Sequence, residues 1–311
     1  MKGIPVGTAS ALMGGLLAAG LAHAQDNSLW DAYNQSFKGA KYIDLTHAFE
    51  PNMTVWPGFG QATFKAGVAG ATVKDFIEKG DEFTYEKHGF VATAYELPTD
   101  QYGTQLDPPA HWNPKGATTS DLPATFSLRP LVVISIADQV RKGPGYHLQV
   151  SDIQAWEKTH GRIPEGAVVM VRSDWYKRWS EQERYRTPPF PGVSLAALKF
   201  LHLERKILFH GHEPLDTDIT PIVEGEAWLM HNNFAQAEGV MNLDKVPETG
   251  ALISIGFAKP LGGTGGYARY VAIAPASWKK GQTVQSDPGA PLPTQKYPLK
   301  RDSLGVMRPT P

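Results

Sequence analysis

Five strand-length apolar runs constrain this chain more than any other feature. They are LRPLVVISIADQV (Leu128 to Val140), GAVVMVRSDW (Gly166 to Trp175), ILFHG (Ile207 to Gly211), GALISIGF (Gly250 to Phe257) and ARYVAIAP (Ala268 to Pro275). Their β-branched, apolar composition predicts strands of a buried sheet. VSDIQAWEKTHG, with Ser151 as its N-cap, and SLAALKFLHLERK have the spacing of amphipathic helices, and GEAWLMHNNFAQAEG predicts a third. KYIDLTHAF and GFVATAYELP add strands, with the Pro- and Gly-rich loop PNMTVWPGFG between them. Several strands follow one another without an intervening helix, which excludes a doubly wound parallel sheet. The expected class is α/β, with a β-rich mixed sheet. No repeat or linker divides Tyr42 to Pro275, so the 311 residues read as a single compact domain.

The two ends have their own composition. Lys2 followed by ALMGGLLAAGLAHA and the small-x-small triplet Ala22, His23, Ala24 reads as a secretory signal peptide over residues 1–24. A buried helix or membrane anchor is the other reading, although the run is shorter than the ~20 residues a span needs. The expected setting is periplasmic or secreted. The domain is then 25–276, and 277–311 is a Pro/Gly-rich tail that wraps the surface or a partner subunit, or is partly disordered. The chain has no Cys, which excludes thiolate catalysis, Cys-based zinc sites and disulfides. Thirty Lys+Arg against 31 Asp+Glu, without long runs of one sign, argue against nucleic acid or an anionic membrane and for a small-molecule partner.

Three motifs could carry chemistry. GGTGGYAR (Gly262 to Arg269) has the glycines of a phosphate loop, but they lead into a strand rather than a helix. A tight turn is expected there, with Arg269 or backbone amides facing a site. GTQLDPPAH (Gly103 to His111) reads as a rigid loop presenting Asp107 and His111, with Gln101 and Gln105 alongside; a polar turn with a satisfied histidine is the plainer reading. HGHEPLDTD (His210 to Asp218) follows a buried strand, where α/β proteins place functional loops, and Glu238 sits in the mixed segment NNFAQAEGVMNL. Carboxylates beside apolar runs are costly to bury unless paired or bound to a cation, so several of them argue for one shared site. Ser173 and Ser194 lack the strand–GxSxG context of a serine hydrolase.

The ordered set IDLTH (Ile43 to His47), VWPG, GTQLDPPAH, VVMVRSDW, PFPGVS and AEGVMNLDKVP (Ala237 to Pro247) resembles the metal-dependent cyclase family, which includes kynurenine formamidase and isatin hydrolase. The resemblance covers about Tyr42 to Pro275 and implies the swivelling β/β/α type of domain, with assembly as a homodimer or homotetramer. In that family's HxGTHxDxPxxH-like loop, two His and one Asp bind a divalent metal and the last His assists catalysis. Gly103, Thr104, Asp107, Pro109 and His111 match, whereas Gln101 and Gln105 stand where the histidine ligands are expected. A family histidine twelve residues before the glutamate falls on Glu226, and the glutamate matches Glu238. The resemblance thus implies a metal set of Gln101, Gln105, Asp107, Glu226 and Glu238. Asp107 and His111 would serve catalysis, with His111 as general acid and base.

Trp56, Phe59, His212 and Arg269 would contact substrate. The implied activity is hydrolysis of a small amide, cyclic amide or lactone, at C–N bonds other than peptide bonds. The expected cofactor is a divalent ion, manganese or zinc, with the oxygen-rich set leaning away from zinc. The rival expectation is a secreted small-molecule-binding or metal-free homologue that has lost its histidine ligands.

Overall fold

The computed structural model describes residues 28–284 and 291–311, so the signal-peptide reading of 1–24 lies outside the described residues. Seven strands close on themselves in the order Leu128–Ser135, Val168–Arg172, Phe209–His212, Ala235–Glu238, Gln105–Asp107, Gly266–Ala274 and Ala251–Phe257, the last pairing back onto the first. The first four run parallel and the other three join antiparallel. Lys41–Asp44 and Gln282–Thr283 extend the sheet beyond the barrel on the Gly266–Ala274 side. The result is the mixed-sheet, β-rich α/β domain expected from the apolar runs.

Alternation along these strands creates two cores. Leu106, Val133, Met170, Phe209, Ala237, Ile253 and Tyr270 fill the barrel. Val132, Ile134, Val169 and Val171 point outward, under the crossover helices that parallel strands require. Those helices are Ala137–Lys142, Val150–His160, Leu195–Lys199 continuing into Phe200–Glu204, and Glu224–His231. Ile153, Trp156, Leu198 and Leu229 are the apolar side chains they bury. A smaller cluster around Met53, Val55, Phe64 and Tyr102 supports the hairpin Thr63–Ala66/Thr93–Glu96. The tail hairpin Leu299–Arg301/Met307–Pro309 lies on that one, with Arg301 donating to the Ala92 carbonyl and Thr93 Oγ1.

Several local expectations are corrected. GTQLDPPAH is not a loop throughout: Gln105–Asp107 is a barrel strand, and Pro109–His111 is one 3₁₀ turn. Three alternating residues between a Gly-Thr turn and two prolines are too short for a period to be legible. The run from Leu128 stops at Ser135 and turns into a helix. Ser151 is not an N-cap, because the helix begins at Val150 and Gln149 is the N-cap residue, its backbone N–H donating to Asp152 Oδ2 at 2.8 Å. GEAWLMHNNFAQAEG divides at Asn233, whose φ of 62° breaks the helix before the strand Ala235–Glu238. GGTGGYAR is a turn between strands, and its Thr264 and Gly265 amides hold the Asp100 carboxylate at 3.0 and 2.7 Å.

Leu106 is fully buried in the barrel, between the two site-bearing residues Gln105 and Asp107. Leu106→Ala is expected to cost about 2–5 kcal/mol, read as a lower midpoint in denaturant titration.

Candidate metal centre

Pairing register builds the site. Antiparallel pairing sets Gln105 opposite Glu238 and Asp107 opposite Gln236. Because Leu106 and Ala237 face inward, these four polar side chains share the barrel's outer face. Helix Glu224–His231 covers them and brings Glu226 down in its first turn. The chain enters that helix through Val223 in the left-handed region (φ 47°), a costly conformation for a β-branched residue. Gln101 reaches in from the preceding loop, and the Pro109–His111 turn adds His111.

Asp107, Glu226 and Glu238 are buried, and each places a carboxylate oxygen within 4.8 Å of the others. Their protein partners are neutral donors. Gln101 Nε2 donates to Asp107 Oδ1 at 3.2 Å, and Gln105 Nε2 to Glu238 Oε2 at 2.9 Å. Gln236 Nε2 donates to Glu238 Oε1 at 2.9 Å and, more loosely, to Asp107 Oδ2 at 3.4 Å. Trp112 Nε1 donates to Glu226 Oε1 at 2.9 Å.

Burial pushes the Asp107 carboxyl up to about 7, against the opposing hydrogen bonds of Gln236 and Gln101. Burial, and then the fields of the neighbouring carboxylates, push Glu226 and Glu238 well above the usual range. Such a cluster must hold extra protons or a cation. The donors are hard oxygens, so the residues fit a divalent ion held by Asp107, Glu226 and Glu238.

The three glutamines play different parts. A half-turn of the Gln101 or Gln105 amide exchanges nitrogen for oxygen and makes either a neutral ligand. Gln236 is held between its neighbours: Thr217 Oγ1 donates to its Oε1 at 2.6 Å while its NH₂ donates to both Glu238 and Asp107. It therefore positions the cluster, and sequence reasoning missed it, although it lies two residues before Glu238 on the same strand face.

Above the cluster opens a cavity of about 320 Å³, lined by Trp56, Phe59, Gln101, Gln105, His111, Trp112, Leu215, Asp216, Val223, Glu226 and Glu238. The Trp56 and Phe59 rings, with centroids 5.2 Å apart, form one wall. His111 Nε2 stands 3.5 Å from Glu226 Oε1, and burial lowers its pKa. Two expected contacts do not reach this cavity. His212 is buried behind Glu238, with Nε2 3.6 Å from Oε1 and Nδ1 directed to the Pro214 carbonyl at 3.2 Å. Arg269 lies in a separate groove, exposed and paired with Asp44 at 2.6 Å. Its neighbours Ala268 and Tyr270 point into the barrel, so its own side chain must point away.

Among known proteins, the Cyclase family model matches residues 43–219. Isatin hydrolase of Roseibium aggregatum is 28% identical over 252 residues, covering 75% of this chain and 91% of that protein. The structure of isatin hydrolase A from Labrenzia aggregata, bound to benzyl benzoate, superposes with a TM-score of 0.66 at 26% identity, covering 80% of this chain and 98% of that one. Isatin hydrolase A from Ralstonia solanacearum gives a TM-score of 0.66 at 25% identity, covering 86% and 100%.

Two outcomes follow from this geometry. Gln236→Leu is expected to weaken divalent-ion binding about 10–100-fold in calorimetric titration while the far-UV circular dichroism is kept. The second concerns the raised carboxyl of Asp107. A raised folded-state pKa gives stability that is present below the unfolded value and lost as pH rises towards about 7. In metal-free protein, the stability of Asp107→Asn relative to the unchanged chain should therefore rise with pH. From pH 4 to 7 the rise should be on the order of a few kcal/mol, with contributions common to both proteins, such as the buried histidines, cancelling.

Proposed function

The chain belongs to the Cyclase family, and from that premise we propose that it is a metal-dependent hydrolase of a small amide, cyclic amide or lactone. The observation that carries this reading is the buried triad of Asp107, Glu226 and Glu238 at the floor of an aromatic-walled cavity, with a histidine at its edge. A divalent cation on these oxygens supplies Lewis-acid polarisation of the scissile carbonyl and acidifies water. An oxygen-only donor set supports manganese over zinc.

The chain's own residues supply the rest. Burial lowers the His111 pKa and so keeps its imidazole neutral near pH 7, with a ring nitrogen free to accept a proton. His111 takes the proton of the attacking water as the new C–O bond forms. It returns that proton to the leaving nitrogen, or to the ring oxygen of a lactone, as the acyl bond breaks. Trp56, Phe59 and Trp112 supply flat apolar surface that orients an aromatic or ring substrate and excludes bulk water. Leu215 and Val223 complete the apolar lining. The names of the similar proteins, isatin hydrolases, support a ring-opening amide hydrolysis.

Mass-spectrometric metal analysis of protein purified without chelator should find about one divalent ion per chain. His111→Ala should lower kcat for formamides or cyclic amides by about 10²–10⁴-fold with the metal retained. No bound metal, together with no thermal shift from any added divalent ion, would overturn this reading in favour of a metal-free ligand-binding protein.

A further inference from the structure

The charge of the cavity is one-sided. Asp216, Glu226 and Glu238 line it, Asp107 lies beside them, and no Lys or Arg among the described residues lines it. One divalent cation offsets two of the three carboxylates at the floor, which leaves that end negative. Asp216, beside the aromatic wall, adds to this: its field reaches Glu226 and Glu238, and although burial pushes its own carboxyl up to about 7, above that pH it is a further negative charge on the cavity. Trp56 Nε1 lies 3.0 and 3.1 Å from its two oxygens. A carboxylate offers about four lone-pair sites, and one indole N–H occupies only the side it approaches.

The surrounding charges do not reverse this. Asp218 is engaged by the Thr220 and Gly225 amides, Asp100 by the glycine-turn amides, and Arg269 by Asp44 in another groove. A free carboxylate carried by a ligand to the mouth would meet Asp216 across aromatic, low-dielectric walls. An ammonium or N–H donor there would meet a ready acceptor beside the Trp56 and Phe59 rings, which also attract cations.

We infer that Asp216 is a specificity-determining residue of this cavity. The substrate is an aromatic or heteroaromatic amide or lactone whose end remote from the scissile bond carries an ammonium or N–H donor, and no carboxylate. The reaction type in this inference rests on the hydrolase reading; the charge selection rests on the cavity alone.

The test uses the full chain loaded with manganese, at about pH 8.5 where the Asp216 carboxyl is ionised, and three formanilides that differ only at the para position: aminomethyl, methyl and carboxylate. The expected kcat/KM is at least about tenfold higher for the aminomethyl compound than for the carboxylate, with methyl between them, and 0.5 M salt should narrow the spread. Asp216→Asn should collapse the ratio of aminomethyl to carboxylate. Trp56→Phe, which keeps a ring but removes the indole N–H, should preserve it and so separates loss of charge from loss of the wall. Equal kcat/KM across the series, or a ratio unchanged in Asp216→Asn, overturns the inference. If no compound is hydrolysed, the hydrolase reading fails for this class. The same three compounds then serve as stable ligands in calorimetric titration, where the same order of affinity sustains the charge selection and an equal order, or no binding by any of them, overturns it.

Discussion

Three carboxylates buried in one another's field, with no lysine or arginine among the described residues paired to them, are the constraint on which the rest of the structure depends. Asp107, Glu226 and Glu238 come from a barrel strand, a covering helix and a second strand, so their repulsion works against closing the helix onto the sheet. The fold meets this with neutral donors: Gln101, Gln105, Gln236 and Trp112 each give an N–H to a carboxylate. Amides and an indole neutralise no charge. They hold the oxygens in place while leaving the cluster's demand for protons or a cation intact, which is the behaviour required of a binding site and not of a structural ion pair.

The barrel makes that arrangement rigid. Closure removes sheet edges, and inward packing of Leu106 and Ala237 fixes the register that puts Gln105, Asp107, Gln236 and Glu238 on one outer face. A slip of one residue in either strand would turn its two site residues into the barrel's apolar interior. The Tyr270 hydroxyl, inside the barrel, donates to the Gln105 carbonyl at 3.0 Å and ties the short strand from the other side. The site therefore sits on sheet and helix at its floor, while its walls come from the Pro- and Gly-rich Trp56 loop and the segment after Phe209–His212. A fixed floor and separately anchored walls let the chemistry stay constant while the mouth sets the choice of ligand.

Much of this was legible in the sequence, for physical reasons. The long β-branched runs announced the strands because burial on both faces demands such composition, and the co-occurrence of carboxylates beside apolar runs pointed to a shared site. The strand Gln105–Asp107 escaped notice because three residues carry too little period, and its polar ends are polar for the site's sake. Gln236 was invisible because a lone glutamine in AQAE carries no charge signal; only the register with Asp107 gives it a role. Arg269 was misplaced by proximity to a glycine-rich turn, although the alternation of Ala268 and Tyr270 already implied its outward direction. His212 follows similar logic: its backbone lies on a strand central to the barrel, so its ring is packed behind Glu238 instead of exposed to a ligand.

The departures from the resembled motif gain coherence when they are taken together. Gln101, Gln105 and Glu226 stand where that motif implies imidazoles, and all three converge on Asp107 and Glu238. Replacing three neutral nitrogen donors with two amides and a carboxylate adds one negative charge to the set and leaves it all oxygen. The added charge strengthens attraction for any divalent ion, while anionic oxygens donate more charge to it and reduce its power to polarise a carbonyl. A site of that kind must lean more heavily on its general base. His111 meets the requirement, because the burial that raises the carboxylates also keeps its ring unprotonated, and its Nε2 lies beside the new carboxylate of Glu226 instead of beside another cation. In the proposed mechanism, these departures would move the chemistry from the cation towards the protein's own proton-transfer group, within the same fold.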